Sequence, residues 1–212
     1  MHVLVVDLLA ERQAFGGLGV KAMVAPFEPT RISLWAPHTT DHCDYGFGLR
    51  VEGPVEADAI IISGSKRNVS SWEGWMDEVA ELIRTTTVPL YGICFGHQII
   101  AAALGGRVER APHPSKFIGQ VNWDDGRSTS SLFTHQDHVV DAGEMETIAT
   151  SEHCGIVACK HPTRAIRTVQ FHPEASSELI NQAFNLGEMT AEEHAAYVFE
   201  SEVMSVKNAL LE

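Results

Sequence analysis

The amino-acid sequence predicts an α/β fold: an open, mostly parallel twisted sheet with helices on both faces and an antiparallel portion. Three apolar runs, Val3–Leu9, Asp58–Ser65 and Val88–Cys94, contain little polar alternation, which is typical of strands buried on both faces of a parallel sheet. Apolar residues at helical spacing lie between the second and third runs. Shorter runs with more alternation follow later, and these predict the antiparallel portion.

The first run begins the sequence, and an irregular region follows it from Glu11 to about Glu56. This region is rich in Gly, Pro, His and Thr, so the pattern places few elements in it. The string AMVAPF is the candidate for a second strand. Because variable loops on a rigid scaffold carry specificity, we expect contacts with a partner molecule in this region and at the C-terminal helix described below.

A strand, helix, strand unit follows, from Asp58 to Cys94. Ser70 and Glu73 have the spacing of a capping box at the start of its helix. The apolar face of that helix is predicted to contain Trp72, Trp75, Met76, Val79, Leu82 and Ile83. Parallel crossover units are right-handed, and they bring the loops that follow the strands to one rim of the sheet.

The next helix is predicted at the string HQIIAAAL, which follows Cys94 and is ended by Gly105. Three shorter strands are predicted at FIGQVNW, GIVACK and AIRTVQF.

The end of the sequence predicts a C-terminal helix over about 190–211. Thr190 and Glu193 have capping-box spacing at its start. Its apolar side is predicted to contain Ala195, Val198, Phe199, Val206 and Leu210. Because there is no internal repeat, linker or low-complexity segment, we expect residues 1–212 to form a single domain.

Composition excludes several classes of function. The formal net charge of −13, from 28 acidic and 15 basic residues, would repel a phosphate backbone, so we expect no nucleic-acid partner. The sequence starts without a basic leader and contains no run that could span a membrane, so we expect a cytoplasmic protein with no membrane contact. The four cysteines are too sparse for a disulfide scaffold, and we expect reduced thiols.

One cysteine lies in a glycine-flanked turn, where the apolar strand ending near Ile93 meets the following helix. Gly92, Cys94 and Gly96 form the pattern G-x-C-x-G, which matches the logic of a nucleophile elbow. At the start of a helix, unpaired amides and the helix dipole favour a thiolate and offer donors to a developing oxyanion. Cys94 is therefore a candidate nucleophile, although the same stretch also fits a packed core thiol.

A cysteine nucleophile needs a base, and the base needs an orienting group. His172 in the string VQFHPEAS is the best placed of the 11 histidines, because it ends a strand and can lie on the same rim as Cys94. Glu174 is two residues further on and can accept a hydrogen bond from the imidazole. Taken alone, this string also fits an ordinary strand end with a surface glutamate.

The strings GICFGHQ and QFHPE together resemble the class I (triad) glutamine amidotransferase family, and in particular the amidotransferase domain of GMP synthetase. The order and separation of the two motifs fit the family, and the resemblance covers essentially the whole chain. It implies a flavodoxin-like glutamine amidotransferase fold. It also implies that Cys94 is the nucleophile, His172 the general base and acid, and Glu174 the residue that orients His172.

The resemblance further implies an oxyanion hole formed by the backbone amides of Phe95 and Gly64. Relatives often have Gly-Gly-Pro where this chain has Ser63–Ser65, so the loop around Gly64 departs from the family pattern. The substrate-binding residues implied are Gln98, His135, Gln136 and Asp137. His135 and His138 also have a spacing seen in metal sites, but no further ligands complete a set, so no metal site is expected.

The activity implied is hydrolysis of the side-chain amide of L-glutamine through a cysteinyl thioester, without a cofactor. A chain of 212 residues leaves no room for an ATP-dependent synthetase domain, so we expect a separate synthetase subunit to receive the ammonia. One alternative is a stand-alone γ-glutamyl hydrolase or peptidase that uses the same triad. Another is a non-catalytic regulatory subunit, which the intact triad argues against.

Overall fold

The computed structural model describes residues 1–197 and 204–211, and ten strands in this part of the chain form a single mixed sheet. The strands are β1 (His2–Val6), β2 (Arg31–Trp35), β3 (Leu49–Val51), β4 (Ala59–Ile62), β5 (Leu90–Ile93), β6 (Arg107–Trp123), β7 (Ser128–Asp141), β8 (Glu146–Ser151), β9 (Cys154–Lys160) and β10 (Ile166–Val169). Their order across the sheet is β3-β2-β1-β4-β5-β10-β9-β8-β6-β7.

Strand direction divides the sheet into two parts. All neighbours from β3 to β10 pair in parallel, whereas β10, β9, β8, β6 and β7 pair antiparallel. The predicted fold class, a mostly parallel sheet with an antiparallel portion, is therefore confirmed. Strand β10 belongs to both parts, since it pairs in parallel with β5 and antiparallel with β9.

Helices cover both faces of the sheet. They are α1 (Gly19–Val24), α2 (Trp75–Thr85), α3 (Phe95–Ala103), α4 (Ser177–Asn185), α5 (Ala191–Tyr197) and α6 (Val206–Leu210). In β1, Val3 and Val5 pack in the core that includes α1 and α6, while Leu4 and Val6 pack in the core that includes α2 and α3. All four side chains are fully buried, which explains why the run lacks polar alternation.

Two predictions around the first helices are corrected by the structure. The string AMVAPF, predicted as a strand, is helical: it ends α1 and continues as a short 3₁₀ turn, Ala25–Phe27. Helix α2 begins at Trp75, with Gly74 and not Ser70 at its N-cap. Ser70 instead donates its hydroxyl to Asp137 on β7, 2.8 Å away, and Trp72 is exposed.

The C-terminal region also differs from its prediction. The capping box at Thr190 and Glu193 is present, with the Glu193 amide 3.1 Å from Thr190 Oγ1. The single helix predicted over about 190–211 is interrupted, because Ser205 has an extended backbone and caps the separate helix α6. The predicted apolar positions Val198 and Phe199 lie outside the described residues.

The sequence patterns missed one long strand and most of another. The predicted strand FIGQVNW is only the end of the 17-residue strand β6, and β6 pairs along its length with the unpredicted strand β7. Strand β8 was likewise not predicted. Among residues 1–197 and 204–211, none of the helices has the length and apolar character that crossing a membrane requires.

Candidate active site

Cys94 occupies a sharp turn between β5 and α3. Its backbone has φ 52° and ψ −101°, a positive-φ conformation that is strained for a residue with a side chain. A Cβ on Gly92 would lie 2.6 Å from the Gly96 carbonyl oxygen, and a Cβ on Gly96 would collide with the Ile62 carbonyl oxygen. Both glycines are therefore required by close backbone approach, as the elbow pattern predicts.

The elbow is attached to the neighbouring strand. The Cys94 amide donates to the Val169 carbonyl oxygen at 2.8 Å, which joins the turn to the end of β10. The residue is 4% exposed but lines a cavity. Cys94 therefore has the strained, cavity-facing position of an elbow nucleophile, and burial alone does not account for its conformation.

His172 and Glu174 lie beyond the end of β10 and line the same cavity. The imidazole Nδ1–H donates to Glu174 Oε1 at 2.8 Å, which leaves Nε2 for the chemistry of the thiol. Nε2 lies 2.9 Å from the hydroxyl oxygen of Thr134 on β7. The structure therefore brings together the three residues expected to form the triad and adds a fourth polar group.

The environment of His172 favours the imidazolium form. Burial would by itself lower the pKa of His172, but the charges of Glu174 and Cys94, and hydrogen bonds to both, hold this pKa well above its usual value. An imidazolium at neutral pH is the form that can protonate a leaving amine.

The loop after β4 places Gly64 beside both Cys94 and His172. A Cβ on Gly64 would lie 3.0 Å from His172 Cε1 and 3.6 Å from Cys94 Cβ. Ser63 holds this loop: its buried hydroxyl accepts from the Leu8 amide at 2.9 Å and donates to the Gly64 carbonyl oxygen at 3.0 Å. The serine that departs from the family pattern therefore fixes the loop through its side chain.

The Phe95 amide is the other backbone donor expected beside Cys94. It lies in the first turn of α3, where helix amides lack intrahelical acceptors. A pair of backbone donors beside a nucleophilic thiol is the arrangement that stabilises a tetrahedral oxyanion.

The four residues expected to bind substrate all line the cavity, but their side chains already have protein partners. Gln98 donates to the Asp137 carbonyl oxygen at 2.9 Å and to Gln170 Oε1 at 3.1 Å. His135 donates through Nδ1 to the same carbonyl at 2.9 Å. These contacts give Gln98 and His135 a structural role in fixing the cavity wall.

Asp137 and Gln136 are also occupied. The buried Asp137 carboxylate accepts from the Ser70 amide at 2.7 Å and from its hydroxyl at 2.8 Å, so it joins β7 to the segment that follows the Gly64 loop. Gln136 accepts from Arg110 at 2.7 Å and donates to the Ala111 carbonyl oxygen at 2.9 Å.

The cavity has a volume of about 690 Å³. Its wall contains both basic and acidic side chains: Arg12, Lys66, Arg67, Arg110 and Lys116, and Asp137, Glu174, Glu188 and Glu193. Three of the cations are paired with carboxylates of the same wall: Arg12 with Glu188, Arg110 with Asp137 and Lys116 with Glu193.

Three histidines meet in the antiparallel part of the sheet, and one of them, His135, lines the cavity. The ring centroids of His135 and His138 are 4.9 Å apart, and that of His153 lies 5.5 Å and 6.0 Å from them. Burial lowers the pKa of all three, that of His135 to about 3. Within the described residues, no group of three or more His, Cys, Asp and Glu side chains has an arrangement that could hold a metal ion.

Sequence reasoning missed Thr134, His153 and Gln170 as side chains of this region. The location of each of these residues depends on strand pairing or on contacts across the sheet, and no local motif encodes either. A prediction of the β6–β7 hairpin would have aligned Thr134 with Lys116 and pointed to the cavity.

Comparisons with known proteins agree with this geometry. The family model described as Glutamine amidotransferase class-I matches residues 31–185. A glutamine-hydrolyzing GMP synthase subunit from Methanococcus aeolicus is 35% identical over 136 residues, which cover 59% of this chain and 69% of the relative. The corresponding subunit from Methanocaldococcus jannaschii is 33% identical over 135 residues, with the same coverage of 59% and 69%.

Solved structures show the same fold. A glutamine amidotransferase from Thermotoga maritima superposes with a TM-score of 0.69 at 15% identity, covering 89% of this chain and 82% of the other. A glutamine amidotransferase from Methylobacillus flagellatus gives a TM-score of 0.66 at 19% identity, covering 99% and 84%.

Proposed function

The chain belongs to the class-I glutamine amidotransferase family, and we propose that it hydrolyses the side-chain amide of L-glutamine through a thioester on Cys94. The products are glutamate and ammonia. One observation carries the proposal: the strained Cys94 elbow lines the same cavity as the His172–Glu174 pair, whose hydrogen bond is 2.8 Å long.

The reaction has two halves. The Cys94 thiolate attacks the amide carbon of glutamine, and the backbone amides of Gly64 and Phe95 hold the oxyanion that forms. The imidazolium of His172 gives its Nε2 proton to the leaving ammonia, and neutral His172 then takes a proton from the water that attacks the thioester. Glu174 keeps Nδ1 protonated throughout and stabilises the positive charge each time it forms.

The ammonia is proposed to pass to a separate synthetase subunit. The relatives are each named as one subunit of a glutamine-hydrolyzing GMP synthase, which supports a division of the overall reaction between two chains. We place the reaction in the cytoplasm, which is in keeping with the four free cysteines. The amino-acid end of glutamine is expected to lie against Gln98 and residues 135–137, which line the cavity.

A stand-alone γ-glutamyl hydrolase or peptidase is a second candidate. The observation that favours it is the cavity volume of about 690 Å³, because sites of this size accommodate drug-sized ligands, which are much larger than glutamine. The two candidates share the triad and differ in the group attached to the γ-carbonyl.

The test measures release of glutamate and ammonia from L-glutamine by the wild-type chain and by Cys94→Ala, with Cys43→Ala as the control. Cys43 is partly exposed and does not line the cavity. We expect activity in the wild type and in Cys43→Ala, and at least a roughly 10²-fold loss in Cys94→Ala. Activity that survives in Cys94→Ala would refute the thioester.

The same three proteins, given γ-glutamyl dipeptides, separate the two candidates. A dipeptide preferred over glutamine by about tenfold or more in kcat/KM favours the hydrolase. Stimulation of glutamine hydrolysis by a synthetase subunit favours the amidotransferase.

A further inference from the structure

The imidazole of His172 has a polar partner on each of its nitrogens. Glu174 accepts from Nδ1 at 2.8 Å, and Thr134 Oγ1 lies 2.9 Å from Nε2. Nε2 is the nitrogen that must exchange protons with the thiol, the leaving amine and the attacking water. Thr134 lines the cavity, so its hydroxyl is located where these exchanges occur.

We propose that Thr134 is a positioning residue, whose hydroxyl holds Nε2 of His172 in place while the imidazole alternates between acid and base. The inference rests on the proposed function. It assigns Thr134 a role in the proton transfers, not in contact with the reacting carbon of the substrate.

The chemistry of a hydroxyl suits this role. A hydroxyl can accept a hydrogen bond from imidazolium Nε2–H and can donate one to the lone pair of neutral Nε2. A carboxylate could only accept a hydrogen bond from the imidazole, and a backbone N–H could only donate one to it. The bond to the charged form is the stronger of the two, so Thr134 favours the imidazolium that pairs with the Cys94 thiolate.

The surrounding packing fixes the two residues relative to each other. The His172 amide donates to the Leu132 carbonyl oxygen at 2.9 Å, which binds the segment after β10 to β7. The rings of Phe133 and Phe171, adjacent to Thr134 and His172 in the chain, are both fully buried and have centroids 5.9 Å apart. A backbone bond and an aromatic pair therefore set the contact between Thr134 and His172.

The test compares Thr134→Val, which keeps the shape but removes the hydroxyl, with Thr134→Ser, which keeps the hydroxyl. Ser130→Ala is the control, since Ser130 is an exposed residue of the same strand. We expect Thr134→Val to lower kcat for glutamine about ten- to hundredfold, the effect of losing a hydrogen bond to a charged group, with KM little changed. Thr134→Ser should retain most of the wild-type kcat.

A second readout does not require glutamine hydrolysis. The rate at which iodoacetamide alkylates Cys94 reports the thiolate–imidazolium pair directly, and labelled Cys94 is identified by peptide mass spectrometry. We expect Thr134→Val to be alkylated several-fold more slowly at pH 7, with recovery at higher pH, while Thr134→Ser and Ser130→Ala follow the wild type. This readout tests Thr134 even if the wild-type chain proves inactive on glutamine.

Two results would overturn the inference. One is a Thr134→Val protein with wild-type kcat and a wild-type alkylation profile. The other is equal impairment of Thr134→Val and Thr134→Ser with a matching fall in melting temperature, because this pattern indicates packing alone.

Discussion

The charge of a single imidazole determines much of the proposed chemistry. His172 is more basic than an ordinary histidine because the carboxylate of Glu174 and the charge of Cys94 outweigh the effect of burial on its pKa. His172 therefore stays protonated above about pH 6.5, the usual pKa of histidine, and loses its proton as the pH rises through its raised pKa. The alkaline limb of the rate profile should report that pKa.

Glu174→Gln tests this dependence. Removing the carboxylate charge lowers the pKa of His172, so the alkaline limb of kcat/KM should move to lower pH. The amide can also donate to Nδ1 and stabilise the wrong tautomer, and we expect kcat to fall by about 10²–10⁴-fold. A pH–rate profile from pH 5 to 10 measures both effects.

The control for this variant is Glu178→Gln, an exposed position in the first turn of α4. It should keep the wild-type profile. An alkaline limb that stays in place in Glu174→Gln would mean that Glu174 does not set the charge of His172.

The strand–turn–helix element β5–α3 depends on backbone contact that only glycine permits. A side chain on Gly96 would collide with the Ile62 carbonyl oxygen of β4, and backbone atoms cannot move aside as a flexible side chain does. Helix α3 and strand β4 would have to separate, and the Phe95 amide would move with the helix. The elbow therefore couples stability to the geometry of the proposed oxyanion site.

We expect Gly96→Ala to lower stability by about 1–3 kcal/mol or more, which corresponds to about 2–4 °C in melting temperature per kcal/mol for a chain of this size. Gly155→Ala is the matched control, because a Cβ there meets open space; it should be neutral or slightly stabilising. Thermal unfolding of both variants measures the difference. Equal melting temperatures would show that the β4–α3 contact is not rigid.

Elements that depend on local pattern could be predicted from the sequence, and elements that depend on distant partners could not. Strands β1, β4 and β5, helix α3 and the triad motifs each reside in a continuous string with a recognisable period or turn. The start of α2 was misplaced because Ser70 is engaged by Asp137, 67 residues away. Strand β7 was missed because much of its length is polar and its pairing with β6 is non-local.

The same distinction applies to the site. Cys94, His172 and Glu174 belong to two short motifs, and the geometry unites them in one cavity. Thr134 and His172 are 38 residues apart in sequence. They are in contact only because β7 lies beside the segment that follows β10. Asp137 was expected to face the substrate, yet its carboxylate is bound to Ser70, a use that no local string reveals.

At the scale of the whole molecule, the site forms where the two parts of the sheet meet. Cys94 follows β5 in the parallel part, His172 follows β10, which belongs to both parts, and Thr134 is on β7 in the antiparallel part. Any process that separates the two parts would therefore dismantle the proposed triad and its contact with Thr134.

Buried neutral histidines make this assembly sensitive to acid. His97 on α3 is 0% exposed and lies 2.8 Å from Thr168 Oγ1 on β10, and burial lowers its pKa to about 4. The pKa of His135 on β7 is lowered by burial to about 3. Both are neutral in the folded chain at pH 5, whereas the unfolded chain binds protons at histidine from about pH 6.5 downwards.

Proton uptake by the unfolded chain determines whether stability rises or falls with pH. At His97 and His135 the unfolded state binds more protons than the folded state below about pH 6.5, so their contribution to stability is fully present above that pH and falls as the pH decreases toward 4. Each such histidine changes the free energy of unfolding by up to about 1.4 kcal/mol per pH unit. The net charge of −13 acts in the opposite direction, because protonation relieves self-repulsion, but most carboxylates remain ionised above pH 5.

His97→Asn removes one buried titrating group and should therefore flatten the dependence of melting temperature on pH between 7 and 5, whatever its effect on stability at pH 7. His113→Asn, at an exposed position of β6, is the matched control and should keep the wild-type slope. Differential scanning calorimetry at half-unit intervals provides the two slopes. An unchanged slope in His97→Asn would mean that the acid sensitivity arises elsewhere, and the contact between α3 and β10 would then have no part in it.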